Sequence, residues 1–218
     1  MFRLSLSDYN TIMRIGIVGT GNIGGTLGRR WAAAHDVVFG VRSPGDEAVR
    51  AVVDQAGHGA RALGVAEAAA FAEVLVIATP FGAVLDVVRA AGDLAGKVVV
   101  DATNPVGPGL RHALPSGSAS DAIAAAAPGA RVVKAFNTAG FEVLGDPAFG
   151  GESASLFLCG DDAGAKRAVA DLAVELGLDP VDCGPLAQAR RLEELALLWI
   201  SMAAQGQGRG HAFRLLRR

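Results

Sequence analysis

Cysteine is scarce in this sequence of 218 residues, and so are net charge and long apolar runs. The two cysteines, Cys159 and Cys183, are far apart along the chain, and neither has a histidine or cysteine near it in sequence. This pattern argues against a structural zinc site, and no metal site is predicted. It favours a reducing, cytoplasmic location, and we expect both cysteines to be small buried residues.

Charges of the two signs nearly cancel, with 20 lysines and arginines against 22 aspartates and glutamates. The net charge of −2 gives no electrostatic reason to expect nucleic acid or an anionic membrane as a partner. The longest stretches without a charged residue, 195–208 among them, are shorter than the ~20 residues of a membrane-spanning helix. Charged residues also interrupt the N-terminus, so no signal peptide is predicted. We expect a solvated basic tail formed by Arg209, Arg214, Arg217 and Arg218.

Hydrophobic residues make up 51% of the sequence, which allows a sizeable core. Short runs rich in valine and isoleucine alternate with alanine-rich stretches of helical length. Several runs are apolar throughout, which is typical of strands covered on both faces in a parallel sheet. The alternation predicts an α/β fold with a doubly wound, Rossmann-type parallel sheet. Strands are predicted at 15–18, 36–39, 74–78, 98–101, 132–135, 155–159 and 180–183, and helices at 23–34, 83–91, 161–176 and 186–202.

The length is large for one domain and small for two. We predict an N-terminal extension at 1–12, a Rossmann domain with added C-terminal strands at 13–184, and a small helical segment at 185–218. The boundary is placed at Gly184-Pro185 because these residues interrupt the periodic segments on either side.

A glycine-rich loop follows the first predicted strand and opens the first predicted helix, with the sequence Gly19-Thr20-Gly21-Asn22-Ile23-Gly24. Gly19 permits a tight turn, Gly21 allows the backbone to approach a pyrophosphate, and Gly24 allows the helix to pack close to the sheet. The N–H groups at the start of the helix would face the anion. This setting predicts dinucleotide binding; the alternative is a tight turn without a ligand.

The residue type at the end of the second predicted strand indicates which dinucleotide is bound. NAD-binding proteins carry an acidic residue about 20 positions after the first glycine. Here that region contains Arg42 and Ser43, whereas Asp46 and Glu47 lie further on, as expected for a turn or a helix start. A guanidinium group matches a phosphate, so we favour NADP over NAD, with a plain surface arginine as the alternative.

Small polar residues and prolines follow three further predicted strands. In an open α/β sheet, ligands lie beyond the carboxyl ends of the strands. These residues could therefore hold the nicotinamide ribose and ring, although each cluster alone could simply form a turn. The candidates are Thr79, Pro80, Asn104 and Asn137, together with Ala135 at the last position of its predicted strand.

Residues for acid–base catalysis are harder to identify, and none is assigned. We expect His35 and His58 to be exposed, whereas His112 could reach the pocket. Lys134 could be a base, an ion-pair partner or an ordinary strand lysine. Reducing a ketone or an imine needs a proton donor beside the hydride. Passing a hydride between two cofactors mainly needs two rings held face to face.

Several motifs together resemble the NADPH-dependent reductases of the deazaflavin coenzyme F-420, over nearly the whole chain from Met13. The resemblance implies a C-terminal helical part that forms one wall of a cleft, homo-oligomerisation, and contacts of Thr20, Asn22, Ile23 and Arg42 with NADP. It also implies hydride transfer between NADPH and the deazaflavin. The motifs are 19–24, Gly40-Val41-Arg42, Lys134-Ala135-Phe136-Asn137-Thr138, Cys159-Gly160-Asp161-Asp162, Asp182-Cys183-Gly184-Pro185-Leu186 and Arg190-Arg191-Leu192-Glu193.

Two positions depart from that family. Val41 replaces a short polar residue, whose contact Ser43 would supply, and Asn137 stands where members that use a deazaflavin often have histidine. The segment 134–138 also resembles the NADPH-binding domains of membrane metalloreductases. Three hypotheses follow: a hydride-transfer enzyme that acts on coenzyme F-420 or a flavin, an NADPH-dependent reductase of a small carbonyl or imine compound, and a non-catalytic NADP(H) redox sensor.

Overall fold

A computed structural model describes residues 12–218, so the predicted extension at 1–12 lies outside the described residues except for its last position. Strands and α-helices alternate along most of this part of the chain. The strands are β1 (Arg14–Val18), β2 (Asp36–Val41), β3 (Arg61–Gly64), β4 (Val74–Ile77), β5 (Val98–Asp101), β6 (Arg131–Lys134), β7 (Ala148–Phe149), β8 (Glu152–Ser153), β9 (Ser155–Gly160) and β10 (Asp179–Asp182). The α-helices are α1 (Asn22–Trp31), α2 (Glu47–Ala56), α3 (Val65–Phe71), α4 (Val84–Ala91), α5 (Ala119–Ala126), α6 (Phe141–Gly145), α7 (Ala163–Glu175) and α8 (Ala189–Met202).

Eight of the strands form one sheet in the order β10-β9-β6-β5-β4-β1-β2-β3. Strands β3, β2, β1, β4, β5 and β6 are parallel, and this order is that of a doubly wound dinucleotide-binding sheet. Strand β9 runs antiparallel to β6, and β10 then pairs parallel with β9. The predicted Rossmann-type sheet with added C-terminal strands is therefore confirmed.

Apolar residues cover the sheet on both faces. Ile15 and Ile17 of β1 pack in one cluster with Leu27 and Trp31 of α1, and all four are essentially inaccessible. A second cluster joins the strands to α3, α4 and α5 on the other face. Burial on both faces explains why the central strands have continuous rather than alternating hydrophobicity.

The seven strands predicted from the sequence are all present, with boundaries shifted by a few residues. The helix predicted at 23–34 ends earlier, at Trp31, because the backbone N–H groups of Ala34 and His35 both bond to the Trp31 oxygen and close a turn. The sequence pattern missed α2, β3, α3, α5, α6 and the β7–β8 hairpin, which are short or expose most of their residues.

One expectation about exposure was wrong. His35 is buried rather than exposed. It lies against the end of α7, where its Nε2 atom is 2.6 Å from Glu175 Oε2. The four basic C-terminal residues are exposed as expected, and two of them also form ion pairs. Arg209 lies 2.7 Å from Glu142, and Arg214 lies 2.5 Å from Glu152, so these side chains tie the chain end to the body of the protein. Within residues 12–218, no helix is both long enough and apolar enough to cross a membrane.

Candidate cofactor site and active-site cleft

The loop between β1 and α1 is shaped by close backbone contacts. Gly19 has a φ of +113°, a conformation that other residues rarely adopt. A Cβ atom on Gly24 would lie 2.1 Å from the Gly19 oxygen, so the first turn of α1 packs directly on the loop. Among residues 12–218, the space beside Gly21 is open for 4 Å, and no side chain caps the helix that begins at Asn22. The N–H groups of this first turn are therefore available to an anion.

A cavity of about 750 Å³ runs along the carboxyl ends of β1, β2 and β4. Six of the residues predicted for the cofactor line it: Gly19, Thr20, Arg42, Ser43, Thr79 and Pro80. Much of the rest of its wall is apolar and was not predicted as part of a site. That wall includes Val49, Val65, Ala83, Val87 and Ala90.

Arg42 is exposed in this cavity and forms no ion pair within residues 12–218. Two carboxylates, Asp46 and Asp86, also line it. Asp86 is paired with Arg89 at 2.5 Å, and Asp46 stands at the N-terminus of α2, where the helix dipole is positive. The expectation that Asp46 and Glu47 start a helix is confirmed. The positive charge of Arg42 in the cavity wall is therefore available to a ligand.

The hydroxyl oxygen of Thr79 is buried and has no hydrogen-bond partner within the described part of the chain. Buried polar groups are rarely left in this state. Since Thr79 lines the cavity, its side chain suits a ligand that supplies the missing hydrogen bond.

Asn104 and Asn137 follow β5 and β6 and are bonded to each other. Asn104 Nδ2 donates to the Asn137 backbone oxygen at 2.8 Å, and Asn137 Nδ2 donates to Asn104 Oδ1 at 3.0 Å. The chain reaches Asn137 through Phe136, which is buried at a φ of +60° and packs edge-on against Trp31, with 5.4 Å between ring centroids. A strained aromatic residue at a strand end is unusual and is held here by its packing. Ala135, Asn104 and Asn137 lie outside the lining of the 750 Å³ cavity, further along the same edge of the sheet.

Behind these asparagines lies a buried network of charged side chains. Lys134 Nζ lies 2.9 Å from Asp101 Oδ2 and 3.0 Å from Glu193 Oε1, and all three side chains are 0% exposed. His112 Nε2 lies 2.7 Å from Glu193 Oε2. Among the sequence interpretations of Lys134, the ion-pair partner is the one that the structure confirms. His112 is bonded to this network rather than directed into the cavity. Asp101 was not singled out from the sequence, and Glu193 was named there only as part of a family motif.

The two cysteines are brought together by the sheet. Asp182 of β10 pairs with Leu158 of β9, so Cys183 and Cys159 follow side by side at the ends of neighbouring strands. Cys159 is buried as expected, whereas Cys183 is only partly buried. Burial raises the pKa of the Cys159 thiol to about 12, with the neighbouring Cys183 adding to the shift. Burial also raises the pKa of Cys183. Neither thiol is therefore activated as a nucleophile.

Comparison with known proteins agrees with this geometry. Residues 14–105, which contain the glycine loop and Arg42, match the family described as NADP oxidoreductase, coenzyme F420-dependent. A solved structure from Arthrobacter sp. FB24, described provisionally as an F420-dependent NADP reductase, is 31% identical with a TM-score of 0.85, and the match covers 94% of this chain and 100% of that one. This chain belongs to that family. It is therefore an NADP-dependent oxidoreductase.

Two curated relatives show how far the family resemblance extends. The F420-dependent NADP reductase of Methanocaldococcus jannaschii is 27% identical over 222 residues, which cover 93% of this chain and 98% of that protein. The rat metalloreductase STEAP3 is 30% identical over 187 residues, which cover 84% of this chain. The chain spans only 36% of the length of the metalloreductase. The archaeal reductase is thus matched from end to end, and the metalloreductase over one part.

Proposed function

We propose that NADP(H) binds extended across the carboxyl ends of the parallel strands. Arg42 and Ser43 would hold the 2′-phosphate, and the loop from Gly19 to Ile23, with Thr20 and Asn22, would hold the pyrophosphate. Within the described residues, the open space at Gly21, the buried Thr79 hydroxyl and the absence of an ion pair at Arg42 support this placement, because each suits a group of the dinucleotide. When bound, the nicotinamide supplies or accepts the hydride.

The nicotinamide end would lie beyond β4, β5 and β6. In the sheet order, these strand ends follow β2 and β1, so a dinucleotide whose 2′-phosphate is at Arg42 extends toward Thr79, Pro80, Asn104, Ala135 and Asn137. Asn104 and Asn137 would border the ring, and α8 would form the far wall of the cleft. Proline and asparagine also form turns, and the placement therefore rests on their position at consecutive strand ends.

We infer that the physiological reaction is hydride transfer between NADPH and a deazaflavin such as coenzyme F-420, or a flavin. The observation that carries this is the state of the ionisable groups at the nicotinamide end: Asp101, Lys134 and Glu193 are fully buried and bonded to one another. Reduction of a carbonyl or imine compound needs a proton donor that reaches the substrate. Transfer between two cofactors needs the rings to be positioned and water to be excluded, which fixed neutral side chains can do. The end-to-end match with a reductase of coenzyme F-420 points the same way.

The test is turnover with a defined acceptor. The protein is mixed with NADPH and oxidised coenzyme F-420, then with FMN, then with a panel of small ketones and cyclic imines, and NADPH absorbance is followed. We expect turnover with coenzyme F-420 or FMN. Turnover with only the carbonyl or imine panel would replace the hydride-transfer proposal by the small-molecule reductase. Tight NADPH binding with no turnover, together with an NADP-dependent change of oligomeric state in size-exclusion chromatography, would instead indicate a redox sensor.

A further inference from the structure

We propose that Glu193 is a positioning residue for the hydride-transfer step: its buried carboxylate anchors α8 to the ends of β5 and β6 and thereby fixes the Asn104–Asn137 pair. This inference rests on the proposed placement of the nicotinamide. Glu193 would not touch the cofactor, and it would act through the two asparagines.

The carboxylate of Glu193 joins three separate parts of the protein to α8. Oε1 accepts hydrogen bonds from the backbone N–H of Ala119, at 2.9 Å, and from Lys134 Nζ, at 3.0 Å. Oε2 lies 2.7 Å from His112 Nε2. The His112 ring is oriented in turn by its own Nδ1 atom, which accepts from the backbone N–H of Leu114 at 3.1 Å. Glu193 therefore fixes the start of α5, the end of β6 and the loop after β5 relative to one another.

Two short connections lead from this carboxylate to the asparagine pair. Leu192, which precedes Glu193, accepts a hydrogen bond on its backbone oxygen from Asn137 Nδ2 at 3.1 Å. Lys134 Nζ lies 2.5 Å from the backbone oxygen of Thr103, the residue before Asn104. A shift of α8 or of Lys134 would consequently move both asparagines.

The hydrogen bonds also define which way the Asn137 amide faces. Its Nδ2 atom donates to two oxygens, those of Asn104 and Leu192, so this end of the amide must be the nitrogen. Asn137 Oδ1 is then the acceptor, and it has no partner within residues 12–218 although Asn137 is 5% exposed. The hydrogen bond to Leu192 of α8 therefore helps to hold the Asn137 amide in one orientation.

Energetics favour positioning over stabilisation as the reason for this network. Removing two charges from water costs several kcal/mol per ion, and well-packed apolar residues in place of a buried ion pair are often at least as stable. Buried polar networks that are fully satisfied instead specify one arrangement of the elements that they join. The arrangement specified here is that of α8 against the strand ends at which the nicotinamide is placed.

Glu193→Gln is the direct test, and Glu175→Gln is the matched control, because it breaks a comparable carboxylate–imidazole contact with His35, away from these strand ends. The measurements are kcat and KM per folded molecule, the deuterium isotope effect with NADPH labelled at the transferred position, and the Kd of adenosine 2′,5′-bisphosphate. For Glu193→Gln we expect kcat to fall at least ~10-fold, because misaligned rings slow hydride transfer. The isotope effect should increase, because the slower hydride transfer then limits turnover more strongly. The Kd of the adenosine fragment should stay unchanged, and Glu175→Gln should leave all of these values at wild-type level. If Glu193→Gln lowers only the melting temperature, the proposal is wrong.

Asn104→Ala provides a second route should Glu193→Gln fail to fold, because it breaks the asparagine pair and leaves the charges in place. The same loss of kcat and the same larger isotope effect are expected, and wild-type values for both would overturn the proposal. If the wild-type enzyme turns over no acceptor, the proposed function has failed, and the positioning role is then tested by binding. In that case Glu193→Gln must weaken NADPH without weakening the adenosine fragment, and equal Kd values for wild type and variant with both ligands would overturn it.

Discussion

Gly24 and Gly19 are in direct backbone contact, and this contact sets the shape of the glycine loop. A Cβ atom on Gly24 would lie 2.1 Å from the Gly19 oxygen, well inside van der Waals contact. By contrast, a Cβ atom on Gly21 would meet no atom of the described part of the chain within 4 Å. The fold itself therefore requires glycine at positions 19 and 24. It places no such requirement on Gly21, which borders the space assigned to the pyrophosphate.

Gly24→Ala and Gly21→Ala should separate these two roles. We expect Gly24→Ala to destabilise the protein by about 1–3 kcal/mol, because the loop or α1 must shift to admit the methyl group, and to weaken NADPH binding as well. Gly21→Ala should leave the stability near that of wild type and weaken NADPH binding alone. Thermal unfolding and fluorescence titration with NADPH measure both effects. Unchanged NADPH affinity in Gly21→Ala would remove the pyrophosphate from this position.

Arg42→Ala should weaken the binding of NADPH by roughly 1–3 kcal/mol and leave the binding of NADH almost unchanged, because the lost interaction is a charge-assisted contact with the 2′-phosphate. Arg50→Ala, on the exposed side of α2, is the control for a general loss of positive charge. Titration calorimetry with both dinucleotides on wild type and the two variants gives the six affinities needed. Equal losses for NADPH and NADH would show that Arg42 does not recognise the phosphate.

The central strands and the glycine loop could be predicted because their signals are local. Strands β1, β4 and β5 are buried at nearly every position, so each appears in the sequence as an uninterrupted apolar run. Helix α2 was missed although Val49, Val52, Val53 and Ala56 recur at helical spacing, so its signal was present in the sequence and was not used. Arg42 could be identified by counting from the loop, because one strand–helix–strand unit fixes that spacing.

The buried network could not be predicted in the same way, since its partners are distant in sequence. Lys134 and Glu193 are 59 residues apart, and His112 and Glu193 are 81 apart. Each of these residues taken alone is an ordinary charged or polar side chain. The proximity of the free cysteines Cys159 and Cys183 could not be predicted for the same reason, because it depends on the register between β9 and β10.

Thr79→Val should distinguish a hydroxyl that serves a ligand from one that serves the fold. The Thr79 hydroxyl has no partner in the described structure, so valine, which has nearly the same shape, should not lower the stability. NADPH binding should weaken if the cofactor supplies the missing hydrogen bond. Thr103→Val is the contrasting variant: its hydroxyl donates to Asp101 Oδ1 at 2.7 Å, and its loss should cost about 1.5–3 kcal/mol of stability. A loss of stability in Thr79→Val, with unchanged NADPH affinity, would contradict the assignment.

The raised pKa of Cys159 predicts that stability depends on pH in the alkaline range. In the unfolded chain the thiol ionises near its ordinary pKa of 9.0, whereas burial in the folded protein raises the pKa to about 12. Between these values the unfolded state loses a proton that the folded state retains, so this contribution to stability is complete below pH 9 and is lost as pH rises toward 12.

Urea unfolding of Cys159→Ala should show a flatter decline over that range than wild type, and Cys183→Ala is the control for the neighbouring thiol. The slopes against pH are compared rather than the absolute stabilities, because alanine also leaves a small cavity. The same alkaline slope in Cys159→Ala and wild type would mean that the thiol ionises as readily in the folded protein as in the unfolded chain.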